Sequence, residues 1–219
     1  MNLNNEPYIK QLERWPRKGR CILAQFDSDS IIVYQAYKPS IGNYAIEHGY
    51  LGESFKLTRM TWIKTNFLWM MYRSGWASKP GQEVILAIRL KRPSFDHILS
   101  NATYSTFQPD VYESQAAWKK AISDSDVRLQ WDPDQDPSGA KVDRCAIQLG
   151  LRGKEIQAYS RDYIMEIQDI TDFVIEQHSY VISGNLDRLL IPKEDIYPVS
   201  NAGLAARLGV STINKKTAT

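Results

Sequence analysis

Arg59, Trp62, Lys64 and Arg73 hold the residue types from which a phosphate or nucleotide site is made. They fall in the run Arg59-Met-Thr-Trp-Ile-Lys-Thr-Asn-Phe-Leu-Trp-Met-Met-Tyr-Arg-Ser-Gly-Trp76, which carries three of the chain's six tryptophans. From Ser54 to Gln82 there is no acid, while Lys56, Arg59, Lys64, Arg73 and Lys79 supply positive charge. Flat rings beside fixed cations suit a nucleotide, a dinucleotide or an RNA strand. Trp69 and Arg73 are four apart, so on a helix the guanidinium could cover the indole. Phe67, Met70 and Met71 read as the core side of that helix. Thr65 or Asn66 would cap it, and the free amides of its first turn beside Lys64 would form an anion site.

A second set consists of glutamines on otherwise apolar strands. Gln35 sits in Val-Tyr-Gln-Ala-Tyr, Gln130 lies two residues before Asp132, and Gln148 interrupts a later apolar run. A buried amide must find partners. These three either line one pocket or face water on an open sheet. Asp132-Pro-Asp-Gln-Asp136 imitates the start of a calcium loop, but proline stands where the loop needs glycine, so it reads as a solvated acidic turn. With His48, His97 and His178 as the only histidines and no cysteine pair at zinc spacing, no metal site is expected.

The elements that must hold these groups follow from periodicity and punctuation. Arg20 to Phe26 and Ile31 to Tyr37 are strand-like runs around an expected hairpin turn at Asp27-Ser-Asp-Ser30. Pro39 to Gly49 reads as a capped helix, Arg59 to Lys64 as a strand, and the stretch to Gly75 as a buried two-turn helix. Lys79-Pro-Gly-Gln82 predicts a type II turn leading into a strand with Val84, Leu86, Ile88 and Leu90 on one face. Helices are expected from Pro93, from Pro109, near Lys154 to Ser160 and from Thr171 to Ser183. Strands are expected at 127–131, 144–151 and 163–170. Strands mixed with short helices, without βαβ alternation, give an α+β class: one domain with a mixed, mainly antiparallel sheet.

The 219 residues, 43% hydrophobic with a net charge of +2, suffice for one core. The organisation expected is a polar, loosely docked segment over residues 1–19, a domain over 20–198, and a frayed tail over 199–219. Cys21 and Cys145 read as reduced buried thiols. No run has the length of a membrane span or the form of a signal peptide, so a cytoplasmic protein without a membrane partner is expected.

Ile31-Ile-Val-Tyr-Gln-Ala-Tyr-Lys-Pro, Arg59-Met-Thr-Trp-Ile-Lys, Phe67 to Trp76 and Gln130-Trp-Asp-Pro resemble the family filed as domain of unknown function 4291, over roughly Arg20 to Pro198. The order of elements is also similar to that of ADP-ribosyltransferases, through Val33 to Tyr37, Pro39 to Gly49, Met60 to Lys64, Asn66 to Ser74 and Val84 to Leu90. That resemblance implies a transferase using NAD. Gln35 stands where His or Arg is usual, Thr61 takes the second motif position, and Glu166 or Gln148 takes the place of a late glutamate. It further implies Arg59, Lys64 and Arg73 on phosphates, Trp62 or Tyr37 stacked on a ring, and Gln35 and Gln148 bonded to ribose or amide. Glu166 or Asp132 would supply the negative charge, and the acceptor would be a nucleotide or nucleic acid. The alternative is a module that binds single-stranded nucleic acid or a nucleotide without catalysis.

Overall fold

A computed structural model describes residues 3–211. The elements, in chain order, are β1 Asn5–Pro7, α1 Tyr8–Arg14, β2 Gly19–Arg20, β3 Leu23–Ala24, β4 Ser30–Tyr37, α2 Pro39–His48, β5 Thr61–Lys64 and α3 Phe67–Ser74. There follow β6 Val84–Lys91, α4 Arg92–Ser100, β7 Ala102–Tyr104, α5 Gln115–Asp124, β8 Val127–Gln135 and β9 Lys141–Leu151. The chain continues with α6 Gly153–Arg161, β10 Ile164–Asp169, α7 Thr171–Ile182, β11 Leu190–Pro192, β12 Asp195–Ile196 and α8 Ala202–Arg207.

Eight strands form one mixed sheet in the order β10-β6-β4-β5-β9-β8-β7, with β2 added along β9. Pairing is antiparallel from β10 through β8, and parallel for β8 with β7 and β9 with β2. The result is a single α+β domain. Period-two alternation along β4 and β6 sends Ile31, Val33, Leu86, Ile88 and Leu90 to one face, where α2, α4 and α6 contribute Ala45, Phe95, Ile98 and Ile156. Ile32, Tyr34, Ile85 and Ala87 face the other way, toward Tyr8 of α1, Phe67 and Met71 of α3 and Val174 of α7. Helices thus cover both faces, and the two central strands are apolar almost throughout.

Local chemistry explains the boundaries that position the cleft. Pro39 opens α2, and Gly49 closes it in the left-handed conformation at φ 74°. Asn66 caps α3 by accepting from Trp69 N, and Gly75 ends that helix at φ 59°. The Lys79–Gln82 turn closes with Gln82 N donating to Lys79 O, and Gly81 supplies its positive φ.

Four expectations change. The run 20–26 is not one strand: β2 joins β9 and β3 joins β12, while the turn at 27–30 does set Phe26 antiparallel to Ile31, with Ile32 N donating to Gln25 O. Pro109 lies in a turn, and the helix begins later, with Ser114 accepting from Ala117 N. The N-terminal segment is docked through buried Tyr8, Gln11 and Trp15. The C-terminal stretch folds into α8 and buries Leu208 before residues 212–219, which carry the expected basic end and lie outside the described residues. Among the described residues no helix is long and apolar enough to cross a membrane. Cys21 is buried and Cys145 half-buried, and both are free thiols; burial pushes the Cys21 thiol up to about 12.

Candidate functional site in the fork between β4 and β5

The sheet opens at one seam. β4 pairs with β6 at all eight positions from Ser30 to Tyr37, but with β5 only at Tyr34 and Lys64. Beyond that point the strands diverge, and side chains replace the missing ladder. Gln35 Nε2 donates to Thr61 Oγ1 at 2.7 Å and to Trp62 O at 3.1 Å, while its carbonyl accepts from Tyr159 OH at 2.6 Å. The Tyr37 hydroxyl shares a hydrogen bond of 3.1 Å with Thr61 Oγ1. A glutamine inside an apolar strand is thereby explained, since it holds the fork open and satisfied on the face opposite Lys64.

A cleft of about 860 Å³ lies in and above this fork, within the range of small-molecule sites. Gln35, Tyr37, Arg59, Trp62, Lys64, Arg73 and Gln148 all line it, with Gln130. Because the cleft cuts the seam, it reaches residues of both sheet faces. Its lining carries Lys38, Lys56, Arg59, Lys64 and Arg73 and, among the described residues, no acid. Of the proposed carboxylates, Asp132 stands behind the wall: Gln148 Nε2 donates to its Oδ2 at 2.6 Å and Gln130 Nε2 to its Oδ1 at 2.8 Å. Register accounts for this, because Lys64 is opposite Gln148 on β9, and Gln148 is opposite Gln130 on β8. Glu166 is elsewhere: it is on β10, opposite Arg89, with β6 and β4 between it and β5.

The electrostatics single out Lys64. It is 5% exposed, and burial, reinforced by the Arg73 charge and opposed by Asp132, brings its amine down to about 7. Burial likewise raises the Asp132 carboxyl, against the pull of Gln130, Lys64 and Gln148. The Trp69 indole takes its cation from Lys64, whose Nζ is 4.6 Å from the ring centroid, rather than from Arg73. Trp62 lies over Gly150, its partner on β9. A Cβ there would come within 2.7 Å of Met60 Sδ and 3.0 Å of the Trp62 ring. Gly150→Val is therefore expected to displace Trp62 and change tryptophan emission. The same substitution should have no such effect in a Trp62→Phe background.

Two sequence expectations need correction. The helix N-terminus beside Lys64 is not open to an anion, because Glu194 Oε1 accepts from Phe67 N at 2.6 Å. The segment after Asp132 is not a solvated turn either. β8 runs on to Gln135, a register shift follows Pro133, and Asp134 is buried against Arg144 at 2.5 Å. The alternation of acids at 132, 134 and 136 resembles an exposed turn by type, and only the pairing with β9 distinguishes it. Glu194 itself had no sequence signal, lying in a short segment between Pro192 and Pro198.

Among the described residues, no group of three or more His, Cys, Asp or Glu side chains could hold a metal ion. No curated protein matches the chain. The family model described as Domain of unknown function (DUF4291) matches residues 21–197, which include every lining residue of the cleft. The chain belongs to this family.

Proposed function

We propose that the cleft binds a nicotinamide dinucleotide and that the protein is an ADP-ribosyltransferase-like enzyme acting on a nucleotide or nucleic-acid acceptor. One observation carries the reading: aromatic rings, cations and amides from segments up to 113 residues apart (148 minus 35) line one cleft at the β4–β5 fork, with the Asp132 carboxylate fixed behind its wall by Gln148. The order of elements agrees with that transferase likeness from β4 through β6. Exposed Arg59 and Arg73 would hold phosphates, and Trp62 and Tyr37 would face a ring. The Gln35 amide is already used, so its part is to fix Thr61 and the strand fork rather than to bond the ligand.

When bound, the dinucleotide would supply the ribosyl carbon and the nicotinamide leaving group. Asp132 cannot swing, because both its oxygens accept from glutamine amides, and so it holds negative charge in a fixed place beside the cleft. Such preorganised charge favours a centre that becomes positive as its leaving group departs. Gln148, bonded to Asp132 and lining the cleft, takes the third motif position in this reading, and Glu166 has no part in it.

Calorimetric titration with NAD, paired with an assay for released nicotinamide, tests the proposal. Heat of binding that falls at least about tenfold in affinity with Arg59→Ala, about the 1.4 kcal/mol of a charge-assisted contact, is expected. Nicotinamide release should fall with Asp132→Asn. No heat and no release would sink the reading. The acid-free lining also favours a second reading, binding of single-stranded nucleic acid without catalysis. That module would bind with a steep salt dependence and be indifferent to Asp132→Asn.

A further inference from the structure

Lys64 differs from the other cations of the cleft. Arg59 and Arg73 are exposed at the rim, whereas Lys64 is enclosed. A structural lysine ordinarily carries its head to water or meets a carboxylate. Lys64 does neither. Among the described residues its amine makes no hydrogen bond and no ion pair, and it lies against the Trp69 ring. It nevertheless lines the cleft. The nearby carboxylate, Asp132, has each oxygen engaged by a glutamine amide. Desolvation and a neighbouring cation are the two devices that leave a lysine amine free and nucleophilic, and burial and Arg73 supply both.

We propose that Lys64 is a nucleophilic amine that forms an imine with the carbonyl carbon of a phosphorylated aldehyde or open-chain sugar phosphate held in this cleft. The nitrogen lone pair adds to the carbonyl carbon, and a proton passes from nitrogen to oxygen to give the carbinolamine. The carbon–oxygen bond then breaks as water leaves, and the carbon–nitrogen double bond forms. Amine and aldehyde become imine and water, with no oxidant or reductant. Asp132 favours the protonated imine by its charge, and Arg59 and Arg73 receive the phosphate at the rim. This activity goes beyond the dinucleotide reading and does not need it.

The test is reductive trapping of the full-length protein at pH 7 with glyceraldehyde 3-phosphate and cyanoborohydride, followed by peptide mass spectrometry. At that pH an amine near 7 holds roughly a thousand times more free base than an ordinary lysine, offset in part by its lower basicity. Adducts at Lys64 are expected to exceed those at any other lysine by at least about tenfold. Unphosphorylated glyceraldehyde should label Lys64 more slowly, and Arg59→Ala with Arg73→Ala should abolish the advantage of the phosphate alone. Lys64→Arg should remove the dominant adduct, and the site-resolved pattern in the unaltered protein decides the matter even if that variant fails to fold. Labelling spread over exposed lysines, with Lys64 no faster than the rest, would overturn the proposal. Trapping at Lys64 without NAD binding leaves the imine standing and removes the dinucleotide reading. NAD binding without trapping does the reverse.

Discussion

Glu194→Ala is expected to lower the unfolding free energy by about 2–4 kcal/mol, the sum of a buried amide left without its acceptor and the void left by the side chain. Glu194 is fully buried and joins three parts of the chain. Its carboxyl accepts from Phe67 N and from Asn66 Nδ2 at the start of α3. Its own N–H donates to Gln11 Oε1, and its carbonyl accepts from Trp15 Nε1. Alanine keeps the backbone contacts but leaves Phe67 N–H unpaired beside a new void, and the Asn66 amide keeps only its long contact to Asp134 Oδ2. In a chain of this size that loss is worth roughly 10 °C in Tm. Glu194→Gln keeps the volume and the acceptor for Phe67, so it should cost clearly less. Burial raises the Glu194 carboxyl well above its ordinary 4.5, against the pull of the Phe67 amide. The folded state therefore binds this proton more tightly than the unfolded chain does. The contribution of the group is present in full below the ordinary value and is lost as pH rises from about 4.5 toward the raised one. The stability difference between the wild type and Glu194→Gln, from urea unfolding at several pH values, should shift against the wild type over that window. A flat difference would show that Glu194 is ionised in the fold.

Most of the frame was legible because its signals are local. Pro39 and Gly49, Asn66 and Gly75, and Pro80 with Gly81 each impose a backbone conformation through their own chemistry, and the elements stop where those residues stand. Strands β6, β9 and β10 announced themselves by alternation or by an apolar run. The short strands β11 and β12 did not, since three and two residues carry no period and owe their form to β1 and β3 beside them. The extent of β8 was hidden for a related reason. Asp132, Pro133 and Asp134 have poor strand propensity, and pairing with β9 overrides it.

The cleft was legible in its composition but not in its division of labour. Residue type put Gln35, Arg59, Lys64 and Gln148 on one shortlist, and the fork between β4 and β5 gathers them. What each amide does depends on neighbours remote in sequence. Tyr159, 124 residues from Gln35, turns that amide inward. Lys64 and Arg73 looked alike as phosphate ligands, yet in the cleft that both line one is buried and the other exposed. Burial, which no spacing rule reports, separates an amine of lowered basicity from a permanent cation.

That separation yields the second large effect. Lys64→Met is expected to stabilise the fold by about 3–5 kcal/mol at pH 6, at roughly 1.4 kcal/mol for each unit that burial takes from the amine. Methionine matches the unbranched stem and can lie on the Trp69 ring without a charge to desolvate. The folded amine titrates near 7 and the unfolded one near 10.5, so below 7 both states are charged and the fold bears the whole cost. Between 7 and 10.5 only the unfolded chain holds the proton, and wild-type stability climbs with pH. The advantage of the variant should therefore shrink across that window and vanish above it. Urea unfolding at pH 6, 8.5 and 10.5 measures this, and a variant less stable than the wild type at pH 6 would mean that Lys64 is a structural cation after all. The same substitution should abolish aldehyde trapping. A residue that burdens the fold by several kcal/mol where a methionine would relieve it has its justification in the cleft, because the single cation–π contact with Trp69, worth about 1–2 kcal/mol, does not offset that burden.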